Sequence, residues 1–375
     1  VCNEPNPNNH LFRSGALDLI GFNYHDDWFA GVPEKFPGKP FIVAESVSAL
    51  MTRGYYRMPS DETVICPERW DKPYFDDSFS CSSYDNCHVP WGNSHEGTMR
   101  HVKNNDFISG QYVWTGFDYL GEPTPYYTDW PSHSSLFGII DLAGIPKDRF
   151  YLYRSHWNKT ARTLHILPHW TWPGREGEVT PVFVYTNYPS AELFINGKSQ
   201  GKRTKDLSVE LDSSYTEAAQ KSFERQKRYR LMWMDTKYEP GTLKVVAYDK
   251  DGNAVAEEEV HTAGKPHHIE LTADRDRLKA DGKDLSFINV RVVDKNGNLC
   301  PDATHKVKFN VRGSGSYRAA ANGDPSSLES FQAPQMSLFK GQLTAVVQTE
   351  ETPGVIVFEA SAPGVKSAKI ELISE

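Results

Sequence analysis

Lys39-Pro40-Phe41-Ile42-Val43-Ala44-Glu45-Ser46 is the stretch that sets the fold of the first part of this chain. Four apolar residues follow one another with no polar position between them. Such a run suits a strand covered on both faces, as in a parallel sheet flanked by helices. Leu17-Asp18-Leu19-Ile20-Gly21-Phe22-Asn23-Tyr24 lies before it and Tyr112-Val113-Trp114-Thr115 after it, and both end their apolar residues in polar ones in the same way. Helices are expected over His95 to Asn104, with Ser94 or Asn93 as the cap, and over Asp148 to Asn158. Aromatic residues are dense throughout, with Trp28, Trp70, Trp91, Trp114, Trp130 and Trp157 among them. This is a β/α region.

The composition changes near residue 160, and from about residue 175 apolar and polar residues alternate with period two. Ile288, Val290 and Val292 fall on one face, with Asn289 and Arg291 on the other; Ile370 and Leu372 alternate with Lys369 and Glu371. Asn196-Gly197, Asp251-Gly252 and Asn296-Gly297 supply the positive φ that tight hairpins need. Short strands joined by such turns indicate β-sandwiches. Ala263-Gly264-Lys265-Pro266 reads as a linker between two of them, and the polar stretch 205–228 reads as an insertion.

The formal net charge of −8 argues against a nucleic-acid partner, which calls for a basic face. Mean hydropathy is −0.57, and no apolar run reaches the length of a membrane span. Val1 is not a Met, and no charged and apolar leader follows it, so the chain is expected to begin inside a longer protein. The cysteines are Cys2, Cys66, Cys81, Cys87 and Cys300. Without a CxxC pair they do not read as a four-thiolate zinc site, and Cys81 and Cys87 read equally well as a small disulfide loop or as separate thiols.

Glu45 is the leading candidate for chemistry. A carboxylate directly after an apolar strand sits where a barrel strand emerges at its catalytic face, although an ordinary solvated strand-end Glu has the same pattern. Trp114 stands near the end of a strand that runs on through Gly116-Phe117-Asp118-Tyr119 to Leu120-Gly121-Glu122-Pro123. An indole there is a platform for the C–H face of a sugar or a plain core residue. Tyr24 ends a third strand, where a phenol could hydrogen-bond a nucleophilic carboxylate or merely pack.

These three strands resemble strands six, seven and eight of the barrel in glycoside hydrolase family 2. Tyr188-Pro189-Ser190-Ala191-Glu192-Leu193-Phe194-Ile195-Asn196-Gly197-Lys198-Ser199-Gln200-Gly201 resembles the strand and hairpin that open the sandwich after that barrel. The resemblance covers essentially the whole chain and is nearest to β-galactosidases of the Bacteroides type. It implies the C-terminal part of a (β/α)8 TIM barrel over 1–165, followed by two immunoglobulin-like sandwiches over 166–262 and 263–375. It implies a retaining β-glycoside hydrolase, of galactosidase specificity, with Glu45 as nucleophile and Tyr24, Trp114, His25, Asp118 and Glu122 lining the substrate site. The segment from Ser46 to Trp91 would roof the pocket, with Arg53, Tyr55 and Tyr56 as contacts.

A retaining mechanism needs a second carboxylic acid about 5 to 5.5 Å from the nucleophile. In the family it follows an Asn at the end of strand four. Asn3-Glu4-Pro5 imitates that pair but lies too close to the strand at Leu17, so Glu4 is assigned to the strand-five loop and the acid/base to sequence upstream. The isolated chain is therefore expected to be inactive and to associate with the upstream half or another copy. No cofactor is expected from this chain, any metal ligands of the complete enzyme lying upstream, and the resemblance implies a periplasmic or extracellular location. The competing class is a sugar-binding or spacer module with an inert partial barrel. Other β-glycosidase specificities stay open, while glucuronidase is disfavoured because no Asn-x-Lys motif stands at a strand end.

Overall fold

The computed structural model describes residues 3–58, 63–208 and 227–375, so the greater part of the expected insertion lies outside the described residues. Three parallel strands form the first sheet: Ile20–Asn23, Phe41–Val47 and Ile108–Trp114, with Phe41–Val47 in the middle. Along it Phe41 and Val43 are buried, while Ile42 and Ala44 on the other face are half-buried. Phe22, Phe29, Val32, Phe36, Phe41 and Val43 make a common core, with Val102 of the helix His95–Lys103 packed against it. Ser94 caps that helix by accepting from the Gly97 N–H at 3.1 Å.

The third strand ends at Trp114, earlier than its sequence suggests. Residues 115–120 leave the sheet and pair elsewhere, Phe117 with Ile140 and Leu120 with Ser134. The segment after Ser48 contributes another small sheet, in which Cys87–His88 lies between Ala49–Leu50 and Val64–Ile65.

The rest is antiparallel in the main. Lys198–Thr204, Ser190–Ile195, Thr242–Tyr248 and Ala254–His261 form one sheet, and Leu231–Trp233, Val182–Thr186 and Leu164–Leu167 another. Trp170, Val182, Val184, Leu193, Trp233, Leu243 and Val245 fill the space between them. Asn196 and Gly197 both take positive φ, 49° and 79°, and turn the Ser190–Thr204 hairpin as their sequence requires. Val182–Thr186 is buried along its whole length. Its Val182 and Val184 face the sandwich interior, while Phe183 and Tyr185 pack with Tyr84, Leu152 and Tyr153 from the first part of the chain.

Beyond residue 267, His268–Ala273, Leu285–Val293, Gln342–Thr349 and Gly315–Ala321 form a four-stranded sheet. It is backed by a five-stranded sheet containing Lys306–Gly313, Gly354–Ser361 and Ala368–Ser374. Ile288, Val290, Val292, Val347, Ile356 and Phe358 fill the core between them. The fold is thus mostly β, with two layered β units after the parallel sheet.

Buried ion pairs fasten these parts together. Arg230 of the first layered unit pairs with Glu96 on the helix His95–Lys103 and donates to the Tyr84 carbonyl at 2.7 Å. Arg53 pairs with Asp141 at 2.6 Å and donates to the carbonyls of Asn322 and Phe339 in the last unit.

Candidate active site

The middle position of Phe41–Val47 gives its carboxyl end a neighbour on each side. Glu45 is in register with Asn23, and Val47 with Trp114. Glu45 is half-buried, and its carbonyl accepts from the Tyr24 N–H at 2.7 Å. The Tyr24 phenol meets the Ser48 hydroxyl at 2.8 Å. Burial raises the Tyr24 pKa well above the ordinary phenol value, and the Glu45 carboxylate, through charge and a side-chain hydrogen bond, raises it further. The phenol is therefore a proton donor at any working pH. With its one proton turned to Glu45, it accepts from Ser48.

Both strand ends are bent into left-handed backbone. Tyr24 and His25 have φ of 57° and 59°, Val47 and Ser48 of 77° and 54°. Four non-glycine residues in this region, one of them β-branched, are strained unless their surroundings fix them. The fixing groups come from the loop before the helix His95–Lys103. Asn93 N–H donates to the Val47 carbonyl at 2.7 Å, and Val89 N–H to the Ser48 carbonyl at 3.2 Å. Gly92 packs so closely that a Cβ there would lie 2.1 Å from the Val47 oxygen. The Asn93 amide also donates to the buried Asp26 at 3.0 Å, so one loop residue holds both turns.

Trp114 is half-buried and meets Tyr119 edge to face at 5.9 Å. The Tyr119 hydroxyl donates to Glu122, and burial followed by that carboxylate raises its pKa. The charge of Glu122 also reaches Tyr24. Tyr24, Glu45, Trp114 and Glu122 thus belong to one neighbourhood, together with Ser48 and Tyr119.

The other expected lining residues have different surroundings. Asp118 is buried; it pairs with Lys147 at 2.6 Å and accepts from Gly138 N–H at 2.7 Å and the Ser135 hydroxyl at 3.2 Å. Its carboxylate braces the chain after Trp114 and is not presented to a substrate. His25 is exposed and bonded through Nε2 to the Asn3 carbonyl at 2.6 Å. Arg53 is taken up by the contact with the last β unit, and Tyr56 donates to Asp148 at 2.6 Å within the core. Tyr55 lies under Lys340, whose ammonium is 5.9 Å from its ring centroid. A cleft of about 830 Å³ opens beside Tyr56, His169, Arg291 and Lys340, and Glu45, Tyr24 and Trp114 are not among its walls. Ser48, Tyr119, Gly92 and Asn93 are the site residues that sequence reading missed. Only Tyr119, three residues before Glu122 and five after Trp114, left a local trace.

Residues 269–371 match the family described as glycoside hydrolase family 2 C-terminal domain 5. Over all 375 residues the chain is 51% identical to the β-galactosidase BoGH2A of Bacteroides ovatus, of which it covers 41%. This chain belongs to glycoside hydrolase family 2. Residues 177–256 of this family 2 chain also match a domain of unknown function, DUF4982. A putative β-glucuronidase of Formosa agariphila is 29% identical over 340 residues, which are 84% of this chain and 31% of that protein. The crystal structure of a β-glycosidase from Bacteroides vulgatus superposes with a TM-score of 0.80 at 28% identity, covering 95% of this chain and 45% of that one. The family 2 chain spans less than half the length of each of these proteins.

Proposed function

We propose that this chain supplies the nucleophile side of the active site of a retaining β-galactosidase. The observation that carries the proposal is Glu45 at the end of the central parallel strand, beside a phenol that stays protonated. In this reading the parallel sheet is the C-terminal part of a (β/α)8 barrel over residues 1–165. Immunoglobulin-like sandwiches occupy 166–262 and 263–375, in a periplasmic or extracellular enzyme.

The Glu45 carboxylate attacks the anomeric carbon as the leaving-group oxygen takes a proton from a separate acid, giving a glycosyl-enzyme that water resolves. Tyr24, itself held by Ser48, orients the carboxylate, and Trp114 forms the floor under the sugar. Glu122 fixes Tyr119, which sets the edge of the indole. The acid/base is assigned to the upstream half of the barrel, so the isolated chain is inactive and works joined to that half. Galactoside specificity is favoured by the 51% identity to a β-galactosidase. The Formosa agariphila relative makes a glucuronide the substrate to exclude.

The test uses the full-length enzyme with aryl β-galactoside and aryl β-glucuronide substrates. Glu45→Gln lowers kcat on the galactoside by several orders of magnitude, and a 2-fluorogalactoside label maps to the peptide containing Glu45. Turnover near that of the parent enzyme, or a label on another residue, overturns the assignment; preference for the glucuronide overturns the specificity alone.

A further inference from the structure

Cys66, Cys81 and Cys87 come from separate parts of the segment after the Glu45 strand, yet their sulfur atoms all lie within 4.8 Å of one another. All three are free and buried, and the Sγ atoms of Cys81 and Cys87 are 4.0 Å apart. That is about twice the 2.05 Å length of a disulfide bond. Three sulfurs around one metal at about 2.3 Å, by contrast, stand roughly 3.8 to 4 Å from one another.

The backbone fixes each thiol independently. Cys87 pairs with Leu50 on one side and Val64 on the other. Cys66 N–H donates to the His88 carbonyl at 3.0 Å, while Cys81 donates from its N–H to the Thr52 hydroxyl at 3.1 Å and accepts from Thr52 N–H at 2.9 Å. Leu50, Val89, Tyr126, Leu136 and Phe137 pack around the sulfurs. Such an environment offers soft donors and suits a thiophilic cation better than calcium or magnesium. Arg57, nearby, is about half exposed and is ion-paired with Asp76.

We propose that Cys66, Cys81 and Cys87 form a three-thiolate site for a single zinc-group cation, which staples the segment carrying Val89 and Gly92 beneath the turn after Glu45. Loading replaces three S–H bonds with three metal–sulfur bonds and releases three protons; the divalent ion and three thiolates leave a net charge of −1.

The purified chain, reduced and freed of metal by a chelator, is titrated with Cd²⁺ and followed by thiolate-to-metal charge-transfer absorption. One equivalent saturates the band with release of three protons at neutral pH. Cys66→Ser, Cys81→Ser and Cys87→Ser each abolish it, and Cys300→Ser leaves it unchanged. Should the serine variants not fold, X-ray absorption on the unaltered zinc-loaded chain decides: three sulfurs at about 2.3 Å support the site, and a shell of oxygen and nitrogen alone overturns it. Absence of the band in the reduced chain, or saturation at one equivalent without sulfur ligands, also overturns it.

Discussion

Gly92→Ala tests whether the turn after the Glu45 strand sets the geometry of the site. Gly92 does not occupy a positive-φ position, so alanine brings no backbone penalty of its own. The obstacle is space. Its Cβ would lie 2.1 Å from the Val47 carbonyl oxygen and 3.1 Å from Ser48 Cβ, where real Cβ contacts do not fall below 3.0 Å. Backbone must therefore separate by close to 1 Å, and the piece that moves is the left-handed pair Val47-Ser48. Overpacking of this kind costs about 1 to 3 kcal/mol. The same shift carries the Ser48 hydroxyl away from Tyr24 and turns the carboxylate two residues before Val47.

A misplacement of about 1 Å at a reacting group costs roughly 10²-fold in rate. In the full-length enzyme, kcat on an aryl β-galactoside should fall by about that factor, with a much smaller change in KM. The urea midpoint should drop by an amount equivalent to about 2 kcal/mol. Gly315→Ala is the control for a crowded glycine away from the turn, since its Cβ would lie 2.9 Å from the Gln348 carbonyl oxygen and 2.8 Å from Ile356 Cδ1 in the last β unit. It should lower stability comparably and kcat less. A Gly92→Ala enzyme that keeps kcat within twofold of the parent would refute the reasoning, whatever its stability.

Arg230→Met leaves Glu96 buried without its partner, so it should cost about 3 to 5 kcal/mol in chemical denaturation; a loss under 1 kcal/mol would show that the latch contributes little. Asn93→Ala removes the hydrogen bond to Asp26 but keeps the one to Val47, and kcat should fall by less than in Gly92→Ala; an equal or larger loss would contradict the backbone as the main restraint. His169 has its pKa lowered to about 3 by burial and then by Lys340. An unfolded histidine takes up its proton near pH 6.5 while the folded one does not, so His169 subtracts stability as pH falls from about 6.5 toward 3 and nothing above that range. Between pH 7.5 and 5.5 the parent chain should lose on the order of 1 kcal/mol more than His169→Phe, and parallel urea midpoints across those pH values would count against it.

The strand-end placement of Glu45 and Tyr24 was legible because each follows an apolar run, and the sheet leaves the polar ends of those runs at its rim. The hairpin at Asn196-Gly197 was legible because its positive φ needs those residues. Asp118 was misleading for a physical reason: it sits where a strand-end carboxylate would, but Lys147 draws it inward, and nothing near it in sequence announces that cation. Val182-Phe183-Val184-Tyr185 lacks the alternation expected beyond residue 175 because, although antiparallel, it is covered on both faces. The small sheet around Cys87 has strands of two residues, too short for any period to register.

What those readings lacked is the loop from Val89 to Ser94, whose role depends on contacts that span the chain. Asn93 holds the Val47 carbonyl with its backbone and Asp26 with its side chain, and Thr98 on the following helix donates to the same carboxylate at 2.7 Å. The two strand ends that carry Tyr24 and Glu45 are therefore positioned from one point, and that point is rigidly continuous with a capped helix. Glu96 on that helix is in turn pinned by Arg230 of the first β unit. A displacement of the β unit acts on the helix, then on Asn93, and through it on both turns at once. Tyr24 and Glu45 then move together, and the hydrogen bond between them is better preserved than their placement against a sugar held by other walls. Loosening the latch should consequently impair substrate positioning before it impairs the carboxylate itself, which gives the β unit a part in catalysis that its distance from Glu45 in sequence would not suggest.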